Sequence, residues 1–118
     1  MNAVQIAYMN AKAAMDTARA LVESELSALN VNIDNMNEEE FNAYCITADA
    51  ISDKHNEVEL AKNLHTAENA LIDWAFETVK REQASMANKF SGEIELIYAR
   101  RTHLTIRKQL IASAFRLS

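Results

Sequence analysis

No proline and only one glycine, Gly92, occur in 118 residues. Sandwiches, barrels and α/β proteins use both residues in their turns, glycine for positive φ and proline for a preset φ. A chain this poor in them points to an all-α fold, because helix interiors exclude both. With 49% hydrophobic and 25% charged residues, it is too apolar to stay disordered. Its length suits one domain with one core, residues 1–118, and is short for two.

Hydrophobic spacing divides the chain into helices. From Asn2 to about Leu29, the residues Val4, Tyr8, Ala11, Met15, Ala18, Val22 and Leu29 follow alternating steps of four and three, as in a coiled-coil seam, with Glu25 as the one polar interruption. Ala7, Ala11, Ala14 and Ala18 are expected on the middle of the buried face, where small side chains allow close helix pairing. Five of the eight residues from Asn30 to Asn37 are Asn or Asp, which compete for backbone hydrogen bonds and end the helix. Asn37, followed by Glu38, Glu39 and Glu40, carries the spacing of a capping box and places negative charge at the positive end of a new helix.

That second helix presents Phe41, Tyr44, Cys45, Ala48 and Ile51, and the stripe resumes at Ala61, Leu64, Ala67, Leu71, Trp74 and Ala75, rotated by roughly 150° on a straight helix. An unbroken helix over 38–90 would be about 80 Å long, against a radius of gyration near 13 Å for a compact domain of this size. A break or kink near residue 55 follows. Lys54 and His55 suit a last turn, and Asn56 with Glu59 repeats the capping-box spacing. A third helix is expected from about Glu57 to Phe90, ending at Ser91-Gly92, and a last one over about 93–116. The fold expected is therefore an antiparallel helical bundle of three long helices with the second broken near residue 55, effectively four helices.

The segment Ala70 to Val79 is the one around which the rest of the chain is expected to be organised. Leu71, Ile72, Trp74, Ala75, Phe76 and Val79 cover an arc of roughly 200°, about twice the stripe a surface helix buries, leaving mainly Asp73 and Glu77 for water. Such a segment must be covered from two sides, by two neighbours in its own chain or by one neighbour and a partner. The last helix likewise has two apolar rows, Ile97, Leu104, Ile111 and Phe115 on one side and Ala99, Ile106, Leu110 and Leu117 roughly 150° away. This excess perimeter predicts a protein-protein interaction module that meets a protein partner or a second copy of itself, a homodimer being favoured. Its contacts would be Trp74, Phe76, Ile97, Leu104 and Ile111, with Arg100 and Arg107 fixing register.

Charge supplies the alternative. The net charge is -5, yet residues 93–118 carry Arg100, Arg101, Arg107, Lys108 and Arg116 against Glu93 and Glu95, a local +3. Arg100, Arg101, Arg107 and Lys108 could neutralise phosphates, giving a nucleic-acid-associated accessory protein. They share their arc with Ile97, Leu104 and Ile111, however, a mixture more suited to a protein interface whose arginines meet carboxylates such as Glu38 to Glu40.

Catalytic, metal and cofactor chemistry find no pattern. No Glu precedes His55, His65 or His103 by three residues, so the di-iron spacing of helical bundles is missing. One glycine cannot build a phosphate loop, and Cys45, the sole cysteine, falls on the apolar arc of its helix, where thiols are usually inert. The chain is accordingly not expected to be an enzyme or to carry a cofactor or metal. A single cysteine, no basic and apolar leader at the N-terminus and no window of ~20 uncharged residues favour a cytoplasmic protein without membrane contact.

Overall fold

The computed structural model describes residues 1–82 and 102–116, with the side chains of all of these except 79–82. Among the described residues there are four helices, α1 (Ala3–Ala28), α2 (Glu38–Lys54), α3 (Glu57–Glu82) and α4 (Leu104–Ala114), and a 3-10 turn at Ile33–Asn35. Among the described residues there is no strand, and the all-α reading holds.

Side-chain caps set most of the helix boundaries. Asn2 and Gln5 form a reciprocal box at the start of α1, with the Gln5 N–H donating to Asn2 Oδ1 at 2.9 Å and the Asn2 N–H to Gln5 Oε1 at 2.8 Å. Asn37 caps α2 as expected, its Oδ1 accepting from the Glu40 N–H at 2.8 Å. Between α1 and α2 the chain is ordered by its own amides. Asn30 takes a left-handed φ of 49°, Asn32 Oδ1 accepts from the Asp34 N–H at 3.1 Å, and Met36 N–H returns to the Ile33 carbonyl at 3.2 Å.

The break near residue 55 is present, by a different device from the one expected. Asn56 does not start α3 as an extended capping residue; it sits at φ 55°, the left-handed region that asparagine tolerates better than most residues. Its N–H closes the end of α2 on the Asp53 carbonyl at 3.1 Å, and its own carbonyl accepts the first helical bond of α3, from Leu60 N–H at 2.9 Å. One residue thus ends a helix and begins the next.

The last helix also departs from the expectation of a continuous run over 93–116. Thr102 is helical, but His103 is extended at φ -90°, ψ 112°, and caps α4 with its ring, Nδ1 accepting from the Ile106 N–H at 3.4 Å. The expected helix end at Ser91-Gly92 lies outside the described residues.

The chain divides into two compact units, Asn10–Leu64 and Met1–Met9 with His65–Ser118, and both α1 and α3 contribute to each. In the first unit the buried α1 residues are Met15, Ala18 and Val22, three positions of the expected stripe. No side chain of α2 is fully buried, and Phe41, counted in its apolar stripe, is 44% exposed. In the second unit Leu71, Ala75 and Ala114 form a fully enclosed centre against which Val4, Tyr8, Trp74 and Ile111 pack. Tyr8 and Phe115 add a tilted ring pair with centroids 5.8 Å apart. The alanine face of α1 is only partly as expected: Ala18 is buried and Ala11 and Ala14 half-buried, whereas Ala7 faces solvent while Gln5 takes a buried position. The reason lies in Gln5 itself, whose amide Nε2 donates to the Ala114 carbonyl at 2.7 Å and so satisfies a last-turn acceptor of α4.

Candidate functional site

The residues first nominated as a contact surface fall into three groups. Phe76 is buried at 8% exposure, and its neighbours Leu71, Ile72 and Ala75 are fully enclosed. Trp74 and Ile111 are half-buried and pack on the Leu71 centre. Of the wide apolar arc around Trp74, Leu71, Ile72, Ala75 and Phe76 are covered within the chain, Trp74 is half-buried, and the Val79 side chain lies outside the described ones. Among the nominated residues that are described, Leu104 stands out in water, at 66% exposure. Ile97, Arg100 and Arg101 lie outside the described residues.

Arg107 does not face outward. Its side chain is 10% exposed, with Nη1 donating to Asn69 Oδ1 at 3.0 Å and Nη2 facing Glu68 Oε2 at 3.3 Å. The expected counter-ions, Glu38 to Glu40 or a partner's carboxylates, are thus replaced by a neighbour on α3. A buried guanidinium needs a carboxylate and further acceptors close by, and the α3 pair Glu68-Asn69 provides both. Of the four residues in the nucleic-acid alternative, only Lys108 is seen exposed.

A second ionic cluster escaped the sequence reading. Glu25, which interrupts the apolar stripe of α1, receives Lys54 Nζ at 2.6 Å and the His55 ring Nε2 from the end of α2. Lys54, then His55, hold the Glu25 carboxyl below the usual carboxylate range, through hydrogen bonds to its ionised form. The contact also settles a register. It brings the last turn of α2, not its first, beside the last turns of α1. At 1.5 Å per residue α2 is roughly 25 Å long, so its first turn lies about that far along the helix from this contact.

Along the connection between α1 and α2 several large apolar side chains are exposed among polar ones. Leu29 is 38% exposed, Val31 46%, Ile33 45% and Phe41 44%, four large side chains within one short stretch. Isolated exposed apolar residues are ordinary on any surface, and Ile46 on α2 or Val58 on α3 need no account. Val31 and Ile33 differ. They belong to a turn whose shape is held by asparagine amides and backbone bonds, so polar side chains at 31 and 33 would serve that turn equally well. The acids Asp34, Glu38, Glu39 and Glu40 lie within the same stretch, all exposed, and no Lys or Arg occurs between Arg19 and Lys54.

No protein-family model, no curated protein and no solved structure matches this chain. What it can do is read from the surface alone. Among the described residues no three His, Cys, Asp or Glu side chains gather as a cation site, and no helix is long and apolar enough to cross a membrane. Cys45 is a free, half-buried thiol. The strip from Leu29 to Phe41 is the candidate site, a contact surface rather than a reacting one. Its signal in the sequence was the apolar pair Val31 and Ile33 alternating with asparagines, a spacing easily passed over as loop.

Proposed function

We propose that this chain is a cytoplasmic helical module that binds a protein partner through the α1–α2 connection, with Leu29, Val31, Ile33 and Phe41 as the apolar contacts. The observation that carries the reading is the half-exposed state of Val31 and Ile33 on a turn held in place by Asn30 and Asn32. Large apolar side chains kept partly in water by an ordered backbone forgo much of their burial free energy, about 1.5–3 kcal/mol each when complete. A partner that covers them recovers it, and clustered exposed apolar groups are the usual mark of a protein contact. Leu104 and the exposed Ile6 and Met9 of α1 offer places for a second copy, the dimer expected from the sequence.

Photo-crosslinking tests the reading directly. A benzophenone side chain placed at Ile33 in the host cell yields a discrete adduct, and the same group at Asn42 on α2 yields none. Absence of any adduct from positions 29, 31, 33 and 41 would remove the proposed surface.

A further inference from the structure

We propose that the partner segment held by this strip is a cationic amphipathic helix, an inference that rests on the contact surface proposed above and adds its chemistry. Charge is the first argument. Asp34, Glu38, Glu39 and Glu40 lie in the same stretch of chain as the apolar side chains, and over the span between Arg19 and Lys54 there is no cation to offset them. Lys54 and His55, the nearest basic groups after it, are both held by Glu25. The dipole of α2 explains acids in its first turn. It explains neither Asp34, which lies in the 3-10 turn before that helix, nor the absence of lysine and arginine along the rest of α2 up to Asp53.

The same field excludes other occupants. Anionic lipid and nucleic-acid phosphates are repelled by a surface carrying only negative charge. A basic segment is attracted and steered, and its apolar side chains meet Leu29, Val31, Ile33 and Phe41. The segment must also satisfy its own backbone. An extended peptide does so by adding to a sheet edge, and among the described residues there is no strand to add to. A helix is satisfied internally and offers anchors at i, i+3, i+4 and i+7. About four turns of it, roughly 20 Å, carry all four anchors on one face.

The probe is a synthetic four-turn peptide of Leu and Lys with Leu at those positions, compared with its counterpart carrying Glu for Lys, by fluorescence anisotropy against the full chain. The Lys peptide binds, more weakly as salt rises, and the Glu peptide does not. Val31→Ser with Ile33→Ser weakens the Lys peptide about tenfold or more, the size of effect expected for central apolar contacts. Asp34→Asn with Glu38→Gln weakens it and flattens its salt dependence. Asp49→Asn with Asp53→Asn, an equal change of charge elsewhere on the same unit, leaves it within about twofold. Because Glu38 also supports the start of α2, Asp34→Lys alone is the second variant, and it weakens the peptide too.

The outcomes separate the two ideas. Loss with the Ser pair but none with either acid variant overturns the cationic partner and leaves the contact surface standing. No effect of the Ser pair overturns the surface itself, and equal weakening by the Asp49/Asp53 control overturns the cationic partner as general attraction to an acidic protein.

Discussion

Gln5 is the most informative single residue for the fold, because one buried amide joins the start of α1 to the end of α4. At 3% exposure it accepts from the Asn2 N–H through Oε1 at 2.8 Å and donates from Nε2 to the Ala114 carbonyl at 2.7 Å. Gln5→Ala removes both bonds, each worth about 1 kcal/mol net. It also strands the carbonyl of fully buried Ala114 where water cannot replace the lost donor, which costs about 1–3 kcal/mol more. The expected destabilisation is about 3–5 kcal/mol. At about 4 °C per kcal/mol for a domain of this size, the melting temperature should fall by roughly 12–20 °C.

Asn2→Ala is the matched control. It loses the cap and leaves the Ala114 contact in place, so it should cost only about 1 kcal/mol. Urea unfolding followed by far-UV circular dichroism compares the two. A Gln5→Ala cost no larger than that of Asn2→Ala would refute the idea that the amide bridges two helix ends. Gln5→Glu adds a sign test. Burial beside the Ala114 carbonyl oxygen disfavours a carboxylate, so the folded-state pKa of the new side chain rises above its unfolded value near 4.3. Its contribution is therefore present below that pH and lost as pH rises through the folded pKa. Measured against wild type at each pH, the variant should lose more stability at pH 7 than at pH 4; the reverse order would place the carboxylate in solvent.

Other residues give shorter tests. Glu25 has its carboxyl pKa lowered by Lys54 and His55, so its contribution is present above the unfolded value near 4.5 and is lost as pH falls through the lower folded pKa. Glu25→Gln should flatten that acid-side loss in a pH series of unfolding curves, and an unchanged series would show the pair to be inert. Asn56→Val should destabilise by about 1–2 kcal/mol, since a β-branched residue resists φ 55°, whereas Asn56→Gly should be close to neutral; equal costs in a denaturant titration would deny the left-handed link. Phe76→Ala should cost about 3–5 kcal/mol as a core deletion, and a variant that melts like wild type would return Phe76 to the surface.

How far the sequence could be read depended on whether a feature was local or required a partner. The break at residues 55 and 56 was legible because the apolar stripe changes face there, and so was the cap at Asn37, where the pattern and the bond lie within four residues. Glu25 looked like a flaw in the stripe of α1, since the two groups that explain it arrive 29 and 30 residues later. Arg107 is similar: its helical arc was right, but nothing local says that Glu68 and Asn69 of α3 wait on that side. Gln5 could have been found, for Asn2 with Gln5 three later has the spacing of a box. The half-exposure of the α2 stripe could not, because periodicity gives the direction of a face and says nothing of how much cover it receives.

That distinction moves the interaction surface. A wide apolar arc on a helix marks either perimeter left for a partner or depth in the core, and in α3 Leu71, Ile72 and Ala75 are fully enclosed. Large side chains stay partly in water on the helices too, Ile46, Val58 and Leu104 among them, but Val31 and Ile33 are exposed outside any α-helix. Their backbone is already ordered, by the left-handed Asn30, the Asn32 side chain and the 3-10 bonds from Asn32 to Met36. A disordered segment of equal composition would lose conformational entropy on binding, of order 1–2 kcal/mol per residue fixed, before any contact became favourable. Here the turn already makes its own side-chain and backbone hydrogen bonds, so less ordering remains to be lost when Val31 and Ile33 are buried. Loosening the turn with Asn32→Gly should therefore weaken the Leu/Lys peptide while leaving the apolar side chains themselves unchanged.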